Sequence, residues 1–170
     1  MLFHFKIAFY ATRFTTDDMV ENGYVDANVL NAIPHREPFL FVDRIVELTD
    51  EKIVTERVLK KEELFFKGHY PQMPIMPGVL MCEAIFQTAG VFMSKKLLNE
   101  AEVEGKVPVL TRIESAKFKK MAFPGDVLQL EAQFVQKLKD FYFFKGCAKK
   151  DGQLLVSIEF ILGMVNNSSL

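Results

Sequence analysis

A histidine and a glutamate stand fourteen positions apart in FFKGHYPQMPIMPGVLMCEAIFQ, residues 65–87. His69 lies in a loop punctuated by Gly68, Pro71, Pro74, Pro77 and Gly78, where proline-stiffened backbone holds an imidazole in a defined place. Glu83 interrupts a run from Val79 to Met93 in which only Cys82, Gln87 and Thr88 also carry polar side-chain atoms. An ionised carboxylate on a helix enclosed by protein is costly unless it is paired or faces a cavity. Gln87 follows one helical turn later, on the same face. Pro77-Gly78-Val79 opens the helix, where unsatisfied N–H groups carry partial positive charge and a glycine admits close approach of a carbonyl. A base, an acid and an oxyanion donor suit proton removal beside a carbonyl with protonation of a leaving hydroxyl. The competing reading is a solvated loop histidine and a structural hydrogen-bonded pair on a buried helix. Spacing alone leaves both open.

The elements that must hold these groups are legible in outline. The apolar run predicts a long central helix over about 78–98, with Lys95 and Lys96 at the end where cations suit the dipole. A short helix is expected over Ala27 to Ala32, stopped by Pro34, followed by strands at 39–46 and 52–59. Beyond the loop near Gly105 the pattern changes to period two, with apolar and polar positions alternating from Leu128 to Phe134. Asp151-Gly152, between residues 140–149 and 153–164, is a strong two-residue hairpin signal. The class is α+β: an antiparallel sheet wrapped around one central helix. One domain over 26–170 follows an N-terminal extension, 1–25. The opening MLFHFKIAFYATRFTT resembles a weak targeting segment, but His4 and Lys6 break it and no small-residue cleavage site follows.

Composition narrows the classes further. A net charge of −1 gives no global argument for nucleic acid or an anionic membrane. No run reaches the roughly 18 apolar residues of a membrane span. Cys82 and Cys147 sit in apolar runs without metal-like spacing, which points to reduced thiols and a cytoplasmic protein. His4, His35 and His69 make no convincing zinc site, so metal ligands are expected to be none. Seventeen phenylalanines without a tryptophan favour a large apolar core or a lined tunnel.

Three blocks, IPHREPFLFVDRI (33–45), FFKGHYPQMPIMPGVLMCEAIFQTAG (65–90) and KFKKMAFPGDVLQLEAQF (117–134), resemble the FabZ-type 3-hydroxyacyl-acyl-carrier-protein dehydratases of type II fatty acid synthesis. The resemblance spans about residues 26–164 and implies a hot-dog fold with a homodimer as minimal unit, often assembled as a trimer of dimers. It implies reversible dehydration of (3R)-hydroxyacyl-acyl-carrier protein to the trans-2-enoyl thioester, without metal or organic cofactor. The partner is then acyl carrier protein bearing a phosphopantetheine-linked acyl chain.

Carried onto this chain, the catalytic pair falls on His69 and Glu83, supplied by opposite subunits. Gly78 maps to the backbone N–H that polarises the thioester carbonyl, and Gln87 to the residue holding the acid; Val79, Tyr70 and Phe86 complete the substrate-binding set. An acidic carrier needs a basic patch, for which Lys117 and Lys119, alternating onto one strand face, with Lys120 and Arg112 nearby, are candidates; a solvated face is the alternative. Three positions depart from the family pattern. Tyr70 replaces a usual Phe, Glu37 a commonly aromatic residue, and Phe86 a usual Ala. The related dehydratase–isomerases carry a bulky aromatic at that last position but Asp for the glutamate, so Glu83 argues for the simple dehydratase. His35 and Arg36 read as structural anchors of the loop before the first strand. A thioesterase has no reason to keep His69 in this setting. A non-catalytic acyl-binding module would be favoured by loss of His69 or Glu83, whereas both are present.

Overall fold

The computed structural model describes residues 25–99 and 106–166, so the expected extension over 1–25 falls outside the described residues except at Val25. The chain runs through α1 (Ala27–Leu30), β1 (Arg44–Leu48), β2 (Lys52–Val58), α2 (Leu64–Gly68) and α3 (Gly78–Phe92), which continues as a π-helical turn over Met93–Leu97. Then follow β3 (Lys106–Phe118), β4 (Val127–Leu138), β5 (Phe141–Lys150) and β6 (Gln153–Asn166). The strands form one antiparallel sheet in the order β1-β2-β4-β5-β6-β3. This is the hot-dog arrangement, with α3 as the filling. None of the described helices is long and apolar enough to cross a membrane.

The alternation read from Leu128 onward works as a register. Leu128, Leu130 and Ala132 are fully buried and stand opposite Arg57, Thr55 and Ile53 of β2, which are buried in turn. One face of each strand therefore meets the helix, as a period of two requires. The β5–β6 hairpin closes at Asp151 (φ 49°) and Gly152 (φ 73°), both left-handed as the tight two-residue turn demands. On the helix, every residue from Met81 to Phe92 except Glu83 is buried. Gly146 on β5 lets the helix sit this close. A Cβ there would collide with Ile85 Cγ2 and lie 3.0 Å from the Glu131 carbonyl oxygen.

Two expectations change. The first strand begins at Arg44, not Phe39, because the preceding backbone is committed elsewhere. The Phe41 N–H donates to Gln87 Oε1 at 2.8 Å, and the Phe39 carbonyl accepts from Gln87 Nε2 at 3.0 Å. A helix side chain thus takes the groups a neighbouring strand would have used. The second change is that β3 ends at Phe118, so Lys117 lies on the strand and Lys119 and Lys120 follow it.

Candidate active site

Glu83 projects from the second turn of α3 with 23% of its side chain exposed. Its Oε1 accepts a hydrogen bond from Gln87 Nε2 at 3.0 Å. Gln87, only 1% exposed, also ties down Phe39 and Phe41, so its amide has fixed orientation. Both residues line a cavity of about 300 Å³ whose other walls include Ile33, Phe86, Pro108 and Leu162. The Phe86 ring packs 4.7 Å from that of Phe160, centroid to centroid. One acid, one amide and His35 are set in an otherwise largely apolar hollow. That is the composition of a site for a ligand with an apolar tail and a reactive polar head.

His69 terminates α2, its N–H donating to the Phe65 carbonyl at 2.8 Å. Its Nδ1 lies 2.9 Å from the Ile75 carbonyl oxygen. A carbonyl only accepts, so Nδ1 carries a hydrogen, and in the neutral ring Nε2 is then the nitrogen with the lone pair a general base needs. The next residue, Tyr70, is 60% exposed and takes φ 54°, a left-handed conformation uncommon outside glycine. Its ring meets that of His69 edge-on at 4.6 Å. His69 is not among the residues lining the Glu83 cavity. The described chain therefore does not gather the two expected catalytic groups into one pocket.

At the helix start, a Cβ on Gly78 would lie 2.8 Å from the Phe118 ring, so glycine is what allows that ring to lie over the first turn. Val79 is 70% exposed. Cys82, next to the acid, is no alternative nucleophile: burial pushes its thiol up to about 11. Among the described residues no group of three or more His, Cys, Asp or Glu is placed to hold a metal ion.

A buried cation links the two halves. Arg57 is 1% exposed and donates to Asp43 at 2.8 Å and to Glu63, the residue preceding α2, with Glu37 at 3.8 Å. Burial opposes its charge, but Asp43, Glu63 and Glu37 outweigh that and hold its pKa above the usual arginine value. Asp43 also accepts from the Val58 N–H at 2.7 Å. The segment that grips Gln87 and the helix that ends in His69 thus share one guanidinium.

The basic candidates separate. Lys119 and Lys120 line a second hollow, of about 480 Å³, together with Lys150, which the sequence reading missed. Lys120 donates to Gln153 at 2.6 Å, and Lys150 to Asp126 at 2.5 Å. Lys117, exposed near the end of β3, precedes them; Arg112 sits farther back on the strand, paired with Glu114 at 3.3 Å in a hollow with Phe141 and Phe143. Lys150 faces the Pro124-Gly125-Asp126 turn, and a cation beside the Asp151-Gly152 hairpin was its only sequence signal.

The expected anchoring of the loop before the first strand is visible at Arg36. Arg36 donates to the carbonyls of Leu30, Ile33 and His35 at 3.0, 2.8 and 2.6 Å. His35 instead lines the Glu83 cavity.

Residues 33–159, which include both His69 and Glu83, match the FabA-like domain family. A 3-hydroxyacyl-[acyl-carrier-protein] dehydratase FabZ of Clostridium perfringens is 39% identical over 132 residues, covering 78% of this chain and 92% of that protein. The FabZ of Streptococcus mutans is 41% identical over 139 residues, covering 81% and 96%. The chain belongs to the FabZ-type dehydratases. Among solved structures, the dehydratase heterocomplex ApeI:P of Xenorhabdus doucetiae aligns with a TM-score of 0.68 at 17% identity, over 82% of this chain and 92% of that one. A hypothetical thioesterase of Streptococcus pneumoniae with coenzyme A aligns at 0.55 and 14% identity, over 82% and 92%. The last two show the hot-dog fold alone, since one fold carries several chemistries. Membership in the FabZ-type family rests on the sequence relatives.

Proposed function

We propose that this protein reversibly removes water from (3R)-3-hydroxyacyl thioesters of acyl carrier protein, giving the trans-2-enoyl thioester. His69 Nε2 takes the proton from C2 while the Gly78 N–H stabilises the charge developing on the thioester oxygen. The electron pair forms the C2–C3 double bond, and the C3 hydroxyl leaves as water with a proton from Glu83. The observation that carries this reading is Glu83 held by Gln87 at 3.0 Å in the wall of a largely apolar cavity.

The working unit is a homodimer in which His69 of one subunit meets Glu83 of the other. Support comes from His69 lying outside the Glu83 cavity of its own chain. The dimers assemble further as a trimer in the cytoplasm. The acidic carrier docks on Lys117, Lys119, Lys120 and Lys150, with Lys119, Lys120 and Lys150 sharing one hollow. Val79 and Tyr70, both largely exposed in the single chain, complete the substrate surface across the interface.

The test is hydration of a crotonyl thioester of acyl carrier protein, followed by loss of the enoyl absorbance. Turnover is expected, reduced about a thousandfold in His69→Ala and in Glu83→Gln. Absence of turnover, or full activity in both variants, overturns the reading.

A further inference from the structure

We propose that His35 is a positioning residue for the acid: with Gln87 it holds Oε1 of Glu83, leaving Oε2 as the oxygen that meets the substrate. This rests on the dehydration reading above. Gln87 Nε2 at 3.0 Å and His35 Nε2 at 3.7 Å converge on the same oxygen. Among the described residues Oε2 has no such partner. A carboxyl group gripped through one oxygen has its remaining oxygen aimed, and proton transfer is sensitive to that aim.

His35 is built to stay where it is. Arg36 clamps its backbone through the Leu30, Ile33 and His35 carbonyls. Its ring lies near Phe39, with centroids 6.4 Å apart and planes 28° from parallel. The Phe39 carbonyl is in turn the acceptor for Gln87, so both grips on Glu83 are organised by one short segment. Anchoring alone does not account for this ring. Its Nδ1 is buried and has no hydrogen-bond partner among the described residues, which is costly for a polar atom out of water. A neutral ring with its hydrogen on Nε2 directs that hydrogen at Glu83 and leaves Nδ1 as the bare acceptor. At 3.7 Å the contact is electrostatic and looser than a hydrogen bond.

The arrangement has a pH consequence. Burial lowers the pKa of His35 from its ordinary 6.5; Glu83 pulls it up and Arg36 pushes it down, with a net fall. The ring is therefore neutral at pH 7. From β3 and β6 the cavity receives Pro108, Val109, Leu110 and Leu162, none of which titrates, so among the described residues Glu83 and Arg36 are the charged groups that act on His35. When pH falls through that lowered value, the ring gains a positive charge and its contact with Glu83 becomes one between a cation and the carboxyl group.

Two measurements test this. The first compares kcat and KM of wild type, His35→Ala and His35→Gln at about pH 7.5, after thermal melts show that both variants are folded. In His35→Ala kcat is expected to fall about tenfold with KM nearly unchanged, and the amide N–H of His35→Gln is expected to recover most of that loss. An unchanged kcat in His35→Ala, or a loss that falls on KM alone, overturns the proposal.

The second follows the His35 ring by NMR in wild type and Glu83→Gln, with no turnover needed. Loss of the Glu83 charge is expected to lower the His35 titration midpoint by about one pH unit. An unchanged midpoint overturns the proposal even in an active dehydratase. A shifted midpoint in a protein without turnover overturns only the catalytic reading on which it was placed.

Discussion

The proposed acid and the proposed base of this site are held in opposite ways. Glu83 belongs to a fifteen-residue helix whose neighbours are buried on nearly every side, and a buried amide grips it. His69 caps a five-residue helix and is followed by residues that are largely exposed; a single backbone carbonyl, that of Ile75, fixes its ring. The first region is finished within one chain. The second presents a tautomer-fixed nitrogen that its own chain does not bring into the acid's cavity. On the proposed dimer, folding assembles the acid, whereas pairing of subunits completes the base.

The largest expected effect tests that division directly. His69→Ala and Glu83→Gln should each lose about a thousandfold in kcat, yet co-refolding the two in equal amounts should restore roughly a quarter of wild-type activity. Half of the resulting dimers are mixed, and each mixed dimer has one intact site. Failure to recover any activity from demonstrably mixed dimers would place both groups in one chain.

Next in size is the cation shared by both regions. Arg57→Ala leaves Asp43 and Glu63 buried without their partner and should cost about 3–5 kcal/mol in chemical denaturation. A loss confined to activity, with stability unchanged, would show that the two regions are not mechanically joined there. Gln87→Leu acts on the acid side alone. It strands the Phe41 N–H and the Phe39 carbonyl, for about 2–4 kcal/mol of stability, and releases Glu83. On the base side Tyr70→Gly removes a left-handed residue that is mostly exposed. Stability should stay within about 1 kcal/mol of wild type, relief of strain offsetting the freer unfolded chain.

The same contrast explains what the sequence made legible. The buried helix and the acid on it announced themselves because a carboxylate among apolar residues is costly and therefore conspicuous. Leu128 to Ala132 and the Asp151-Gly152 turn were readable because register and turn geometry are local. Phe39 to Val42 has the look of a strand, but its backbone partner is a glutamine 46 residues away from Phe41 in sequence, which no local pattern encodes. Strand β3 was blurred by register shifts between Leu110 and Arg112 and between Ile113 and Ser115, which break its alternation. The place of His35 in the cavity wall was not legible for a related reason. Its neighbour Arg36 does the anchoring that the pair was expected to share, and its own contact lies 48 positions on. The catalytic roles came from the resemblance, since spacing alone could not choose between a site and a structural pair.

The five residues that finish the central helix have a consequence for the cavity wall. Gly90, Ser94 and Leu98 all line it, at intervals of four. In an α-helix four residues turn through about 400°, so such a row drifts by about 40° at each step and soon winds out of view. The wider π turn over Met93–Leu97, closed by the Leu98 N–H donating to the Met93 carbonyl at 2.9 Å, winds more slowly and takes that drift back. It acts as a phase corrector, keeping one stripe of the helix facing the hollow beyond the point where an ordinary helix would turn away. Deleting a single residue there would leave the reactive end untouched while rotating the far wall by about 100°.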